Sequence, residues 1–390
     1  MRVLHVIPAV APRYGGPSTS LWPMTSAIAR LPGIANEVLT TAADGPRDRL
    51  KVSDLPRDRV AVHLMSGLRP FAAWLRSHVR EFDLIDIHTL WNLPTAVAAH
   101  AARRAGRPYT IRPCGMLSAY SWQRHWAKKR AYWWAVERRN VRGAAAFHAT
   151  SPGELRDIRA AGVTAPVFDI PLGLEDAAFA TPRDPDWLRQ RCGPAAGDRP
   201  IVLFLSRLHP KKGVADVLIP AFSAVKADAF LAIVGGVDDS TPGYGETVRR
   251  AIARHGLTDR VAVLGPVPVA DRWAAFDGAA AFVLPSHSEN FGLVVTEAMA
   301  RGCPVVVTDQ VQSHEHVTAS GGGSVVPVDA GAVASAIDII LAEPARAVAK
   351  GEAGRKYASS HLNWDRIARR IVEMYSLALA GLVSPGVARA

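Results

Sequence analysis

Short apolar runs rich in β-branched residues alternate with stretches of helical spacing along almost the whole chain, and they do so in two successive series. The first places strands near 3–7, 60–64, 84–88, 109–112, 146–149 and 167–170, with helices near 17–31, 91–105, 122–142 and 152–161. The second places strands near 201–206, 230–234, 261–264, 281–284, 305–308 and 324–328, followed by a largely helical stretch over 329–382. Strands that read as continuous apolar runs, each followed by a helix, belong to parallel sheets covered on both faces. A chain of 390 residues exceeds what one core sustains, so each series is expected to be its own domain. Between them, residues 176–199 collect Pro182, Pro185, Gly193, Pro194 and Gly197 with mixed charges, a composition that favours a linker. The expected division is 1–175, a linker over 176–199, 200–365, and a C-terminal helix and tail over 366–390 that packs back on the first domain. Two such α/β domains bind ligands beyond the carboxyl ends of their strands, so the cleft between facing sheets is the expected site.

Charge narrows the partners. The net charge of +11 resides in the first half, and residues 101–150 hold 11 basic side chains against the single acid Glu137. On a continuous helix over 122–142, Trp122, Trp126, Trp133 and Val136 share one side while Arg124, Lys128, Arg138, Arg139 and Arg142 take the other. That face is expected to meet an anionic membrane surface or an anionic acceptor. Nucleic acid is disfavoured, because no recognition module accompanies the basic region. Cys114, Cys192 and Cys303 lie far apart, which argues against disulfides or a zinc knuckle and for a reducing cytoplasm. No apolar run approaches the roughly 20 residues of a membrane span, so the expected localisation is cytoplasmic and peripheral on the inner membrane.

The chemistry is concentrated in 281–309. Glu289 and Glu297 stand eight residues apart across a strand-to-helix junction, in Ser288-Glu289-Asn290-Phe291-Gly292-Leu293-Val294-Val295-Thr296-Glu297. A helix opening near Gly292 turns free N–H groups toward a ligand, and the two carboxylates can each accept hydroxyl hydrogens. In Ser206-Arg207-Leu208-His209-Pro210-Lys211-Lys212-Gly213, Arg207 and Lys212 follow a strand, where a diphosphate needs its charge neutralised. Gly15-Gly16-Pro17 follows the first strand and opens a helix, and Gly16 lets backbone approach a phosphate closely. Gly235 and Gly265 end two further strands in the same manner.

These segments together resemble the family 4 retaining glycosyltransferases of bacterial polysaccharide assembly, through the E-x7-E motif, its flanking Asn290-Phe291-Gly292-Leu293 and Glu297-Ala298-Met299-Ala300, and Gly302-Cys303-Pro304-Val305-Val306. The resemblance implies the GT-B architecture, two Rossmann-like domains facing a central cleft. It also implies transfer of a hexose from a nucleotide diphosphate sugar to a glycan or polyprenyl-diphosphate-linked acceptor in exopolysaccharide biosynthesis. By the same resemblance Glu289 contacts the transferred sugar and Glu297 the ribose. Arg207 and Lys212 hold the diphosphate, and Gly15, Gly16, Gly235, Gly265, Asn290, Phe291, Gly292, Leu293 and Val294 line the donor. Many members carry a histidine after the fourth strand, where this chain has Arg112-Pro113-Cys114-Gly115, so Arg112 and Cys114 are candidates for that position. His88, at the end of another strand, is a candidate acid–base group whose alternative is simple packing. No cofactor and no metal is expected, since Asp184-Pro185-Asp186 falls in the linker and His314-Glu315-His316 lacks a third ligand. A nucleotide-sugar epimerase of the same architecture is the alternative reading, and a basic nucleic-acid-binding protein a weaker one.

Overall fold

The computed structural model describes residues 1–11, 15–42, 60–123 and 125–381. They form two compact units, one of Met1–Gly173 with Trp364–Ala390 and one of Leu174–Asn363. The first contains a parallel sheet of seven strands: β1 (Arg2–Val6), β2 (Ala35–Thr41), β3 (Ala61–Met65), β4 (Leu84–His88), β5 (Tyr109–Arg112), β6 (Ala146–Ala149) and β7 (Val167–Asp169). Their order is β3-β2-β1-β4-β5-β6-β7. The second contains a parallel sheet of six: β8 (Ile201–Leu205), β9 (Phe230–Val234), β10 (Val261–Gly265), β11 (Ala281–Leu284), β12 (Val305–Thr308) and β13 (Gly323–Val326), in the order β10-β9-β8-β11-β12-β13. Both are doubly wound. The direction of winding reverses between β1 and β4 in one sheet and between β8 and β11 in the other, which opens a crevice at the carboxyl ends of those strands.

The central strands are apolar without alternation because helices cover both faces: Ile201, Val202, Leu203 and Phe204 are all buried, as are Phe282, Val283 and Leu284. The polar exceptions are paired. Arg301 is buried against Asp277 (2.6 and 2.9 Å) and the carbonyls of Ala178 (3.2 Å) and Thr181 (2.8 Å). In the first unit Asp86 receives the hydroxyls of Thr110 and of Tyr375 from the helix Trp364–Ala380, both at 2.7 Å. That helix packs against the helix Gly16–Ala29, and Arg30 pairs with Asp365 at 2.7 Å.

The structure departs from the sequence reading at four places. Strand β2 and the helix Leu68–His78 were not anticipated. In β2 the polar pair Asn36-Glu37 hides the pattern, because Asn36 is buried on His5 (3.3 Å) while Glu37 pairs with Arg2 (2.8 Å). The segment 176–199 is no linker: it folds into helices Ala177–Ala180 and Trp187–Cys192 that belong to the second unit, with Leu188 and Ala196 fully buried. The helix expected over 122–142 is broken. His125 takes a left-handed conformation (φ 60°) and Trp133–Glu137 form a wider π turn, so helical spacing cannot be carried from Trp122 to Val136. Trp122 and Trp133 do pack together, with Trp91, but Trp126 is 63% exposed and Trp134 60%. Arg124 of the expected cationic face, and residues 382–390 of the expected tail, lie outside the described residues.

Candidate active site

At the crevice of the second sheet, two loops bring the predicted cations and carboxylates together. Beyond β8, the Ser206 N–H donates to Val234 O (3.0 Å), and Gly235 (φ 144°) lets the end of β9 approach. A Cβ there would lie 1.9 Å from Ser206 O. Arg207 then points outward, 56% exposed, and pairs with Asp238. Burial raises the Asp238 carboxyl, but hydrogen bonds from Ser240 and the Arg207 charge outweigh it and hold the group below its ordinary value. His209 caps the short 3-10 turn Pro210–Lys212, its Nδ1 accepting from Lys211 N–H (3.0 Å), which swings Lys212 inward. Gly213 (φ 68°) makes that turn possible, since a Cβ would meet Pro285 O at 2.2 Å.

Beyond β11, Glu289 is fixed through its backbone, its N–H donating to Gln310 O (3.0 Å), and its carboxylate pairs with the Lys212 ammonium. Burial pushes the Glu289 carboxyl up, but Lys212, Lys211 and Arg207 together hold it below the ordinary value, so it is an anion at neutral pH. Gly292 (φ 75°, ψ 56°) then opens the helix Leu293–Ala300, and no side chain caps it. Phe291, Leu293 and Val294 pack toward the core, so what they offer a ligand is main chain. One turn on, Glu297 is buried, 3.5 Å from Arg272, which also reaches Glu175 at 3.2 Å. Here burial dominates: it raises the Glu297 carboxyl, Glu175 adds to the shift, and Arg272 opposes it.

The site is thus a cationic pair, a half-buried anion locked to one of them, an uncapped helix N-terminus and a second carboxylate held by an arginine. That donor set matches a diphosphate flanked by two hydroxyl-bearing rings. Sequence reasoning missed Arg272, Glu175, Lys211 and Asp238. Arg272 carried no signal beyond its place in a short helix after Gly265, and only the fold sets it under Glu297.

The predicted residues of the first unit are placed differently. Gly15 (φ 78°) precedes the helix Gly16–Ala29, whose N-terminus has no side-chain cap. His88 is packed, its Nε2 3.2 Å from His5 Nδ1 and 3.3 Å from Asp86 Oδ2. Arg112 is buried beside Met24 (3.6 Å to the sulfur). Burial pushes the Cys114 thiol up to about 11, so it stands protonated at neutral pH. Among the described residues His5, Asp86 and His88 form the single group whose ligand atoms could share a metal ion. Asp86 already receives two hydroxyls, and the equally buried Arg112 supplies a positive charge to the same core. Also among the described residues, no helix is long and apolar enough to cross a membrane.

Comparison with known proteins agrees with this architecture. Residues 15–173 match the family model described as glycosyl transferase 4-like domain, and residues 190–357 match that of glycosyl transferases group 1. The chain is 31% identical over 308 residues to a GDP-mannose-dependent alpha-(1-6)-phosphatidylinositol monomannoside mannosyltransferase of Mycolicibacterium smegmatis, covering 75% of this chain and 77% of that one. It is 33% identical over 219 residues to a D-inositol 3-phosphate glycosyltransferase of Xylanimonas cellulosilytica, covering 54% of this chain and 51% of that one. Among solved structures it superposes on Anabaena HepE in complex with UDP-glucose (TM-score 0.77, 23% identity, 96% of this chain and 99% of that one). It also superposes on the sucrose-phosphate synthase of Thermosynechococcus elongatus (TM-score 0.77, 24% identity, 97% and 99%). Taken with the two doubly wound sheets, the matched models and the mannosyltransferase relative show that the chain belongs to the family 4-like glycosyltransferases of the GT-B fold.

Proposed function

We propose that the chain is a retaining hexosyltransferase that takes its sugar from a nucleotide diphosphate sugar and delivers it to a glycan or polyprenyl-diphosphate-linked acceptor in polysaccharide assembly. The observation that carries this is the Lys212–Glu289 pair facing the uncapped helix at Gly292, with Glu297 one turn beyond. Arg207 and Lys212 stabilise the departing diphosphate, the helix N–H groups add to them, and Glu289 holds the transferred sugar. Glu297, exchanging Arg272 for a ribose, anchors the nucleoside. The departing diphosphate oxygen takes the acceptor proton on the face of attack, and positioning and charge stabilisation supply the rate.

The relatives direct the choice of donor, since one is named for GDP-mannose and one was solved with UDP-glucose. The test is a thermal-shift screen of nucleotide sugars, then turnover of the binder with lipid-linked and free glycan acceptors, with the anomeric configuration of the product read by NMR. Absence of stabilisation by every donor, or an inverted product, overturns the proposal.

A surface feature supports work at a membrane. Trp126 and Trp134 are exposed, Arg138 stacks on Trp134 (4.3 Å), and Lys128 and Arg130 are exposed nearby. Reversing Arg138, Arg139 and Arg142 to Glu is expected to abolish co-sedimentation with anionic vesicles; unchanged co-sedimentation removes the membrane role.

A further inference from the structure

On the flank of the first sheet, a cavity of about 370 Å³ is lined by Leu117, Trp122, Trp133, Asp157 and Ala160 among others. That volume falls within the range of small-ligand sites, which begin at about 300 Å³. Its aromatic wall is rigid. Trp122 and Trp133 meet edge to face (5.4 Å, 71°), and Trp91 braces both from behind at 4.9 and 5.9 Å. The three indoles differ in one respect. Trp91 donates its Nε1–H to Met116 O (2.9 Å), whereas those of Trp122 and Trp133, like the Asp157 carboxylate, make no hydrogen bond to the described residues. The cavity is therefore lined by two indoles and a carboxylate whose polar atoms are not engaged by the described residues, beside the small side chain of Ala160.

Each alternative ligand chemistry conflicts with part of this set. A prenyl or acyl chain sets the Asp157 carboxylate against hydrocarbon. A phosphate meets the negative charge of Asp157 at close range. A pyranose ring fits all of it, because its axial C–H groups present a positive edge to the indole faces while its hydroxyls both donate and accept.

We propose that this cavity is a saccharide subsite, which takes one pyranose ring of a neutral oligosaccharide through stacking on Trp122 or Trp133 and a hydroxyl hydrogen bond to Asp157. Its place in the fold gives it a use. Leu117 follows β5 at the carboxyl edge of the sheet, and the helix Pro152–Ala160 runs back from that edge, so the cavity extends from Leu117 down the flank to Ala160. A growing glycan whose end lies at the carboxyl edge would rest an earlier sugar here. The subsite extends the acceptor half of the proposed transferase reading, but binding to it requires neither donor nor turnover.

The test uses the full chain without donor, titrated with α-1,6-mannotriose and with maltotriose while tryptophan emission and saturation-transfer NMR are followed. Farnesyl phosphate serves as the lipid probe. One trisaccharide is expected to bind in the millimolar range. Asp157→Asn, isosteric and half-exposed, should weaken it at least fivefold. Ala160→Phe, which fills the cavity from an exposed position, should abolish it. Stabilisation by the nucleotide sugar should be unchanged in both, which separates this proposal from that of the donor site. Failure of both trisaccharides to bind, saccharide binding that survives Ala160→Phe, or farnesyl phosphate binding lost in the same variants would each overturn the subsite.

Discussion

Replacing Lys212 by methionine keeps the length of the side chain, removes its charge, and separates the structural from the chemical work of the Lys212–Glu289 pair. Both side chains are largely enclosed, at 11% and 19% exposure. Removing one partner of a buried pair costs about 3–5 kcal/mol, because the other charge is stranded. Here the pair keeps some exposure and Lys211 and Arg207 still act on Glu289, so the loss is expected just below that range, at about 2–3 kcal/mol. For a unit of roughly 190 residues each kcal/mol lowers the midpoint by about 2–4 °C, which gives a fall of about 4–12 °C in a calorimetric scan. Loss of one preorganised charge from the departing diphosphate should lower turnover by about 10² to 10³. Adding Glu289→Gln to Lys212→Met removes the stranded charge, so the double variant should regain at least about 1 kcal/mol over the single one. Its activity should not return. If Lys212→Met melts with the wild type and turns over within threefold of it, or if the double variant recovers activity, the pair does not have the role given to it.

Four further outcomes follow from the same geometry. Glu297 titrates above its ordinary 4.5, so its contribution to stability is present at low pH and is lost as pH rises through the folded value, whereas its grip on ribose hydroxyls behaves oppositely. Donor affinity by calorimetry should therefore weaken on acidification with a midpoint above 4.5, and Glu297→Gln should flatten that limb; a limb that persists in the variant assigns it elsewhere. Arg301→Met strands Asp277 and frees the carbonyls of Ala178 and Thr181, at about 3–5 kcal/mol in urea unfolding, with new proteolytic cutting in 177–192. A change under about 1 kcal/mol would count against that anchor. Gly235→Ala meets a carbonyl at 1.9 Å as well as an unfavourable φ, and should cost more than the roughly 1–3 kcal/mol of backbone strain alone. Gly265→Ala, at φ 71° with nothing within 4 Å, should cost only about 1–2 kcal/mol, and equal losses by chemical denaturation would refute the distinction. Tyr375→Phe removes one donor from the buried Asp86 carboxylate and should cost about 1.5–3 kcal/mol, read from the denaturant midpoint.

What was legible in the sequence had one physical origin. Strands buried on both faces announce themselves as apolar runs, so β8, β9, β11 and β12 were found nearly to the residue, and the loops at their carboxyl ends carried the Arg207, Lys212, Glu289 and Glu297 spacing. Strand β2 was not legible because its interior positions include the polar Thr40 and Asn36, and the burial of Asn36 depends on His5, a partner far away in the chain. The segment 176–199 misled for a related reason: its prolines and glycines mark turns between short helices, and the arginine that holds it, Arg301, lies more than a hundred residues on. The break at His125 and the π turn at Trp133–Glu137 were invisible to an angular projection, which assumes one uninterrupted helix. Arg272 shows the limit most plainly, since nothing in its own neighbourhood says that it will lie between two glutamates.

The chain leaves the first unit after Gly173 and supplies that unit's last helix only from Trp364 onward, while the second unit closes on itself, the Leu174 N–H donating to Leu362 O (2.7 Å). On a ribosome adding about 5–20 residues per second, some 10–40 s therefore separate the two parts of the first unit. Throughout that interval Asp86 lacks Tyr375, and the sheet lacks the helix that later lies against Gly16–Ala29. The half of the protein made first is thus the half finished last. A nascent chain stalled before Tyr375 should carry a complete second unit beside an incomplete first one, which makes the early sheet, and not the later site of chemistry, the part most exposed to misfolding during synthesis.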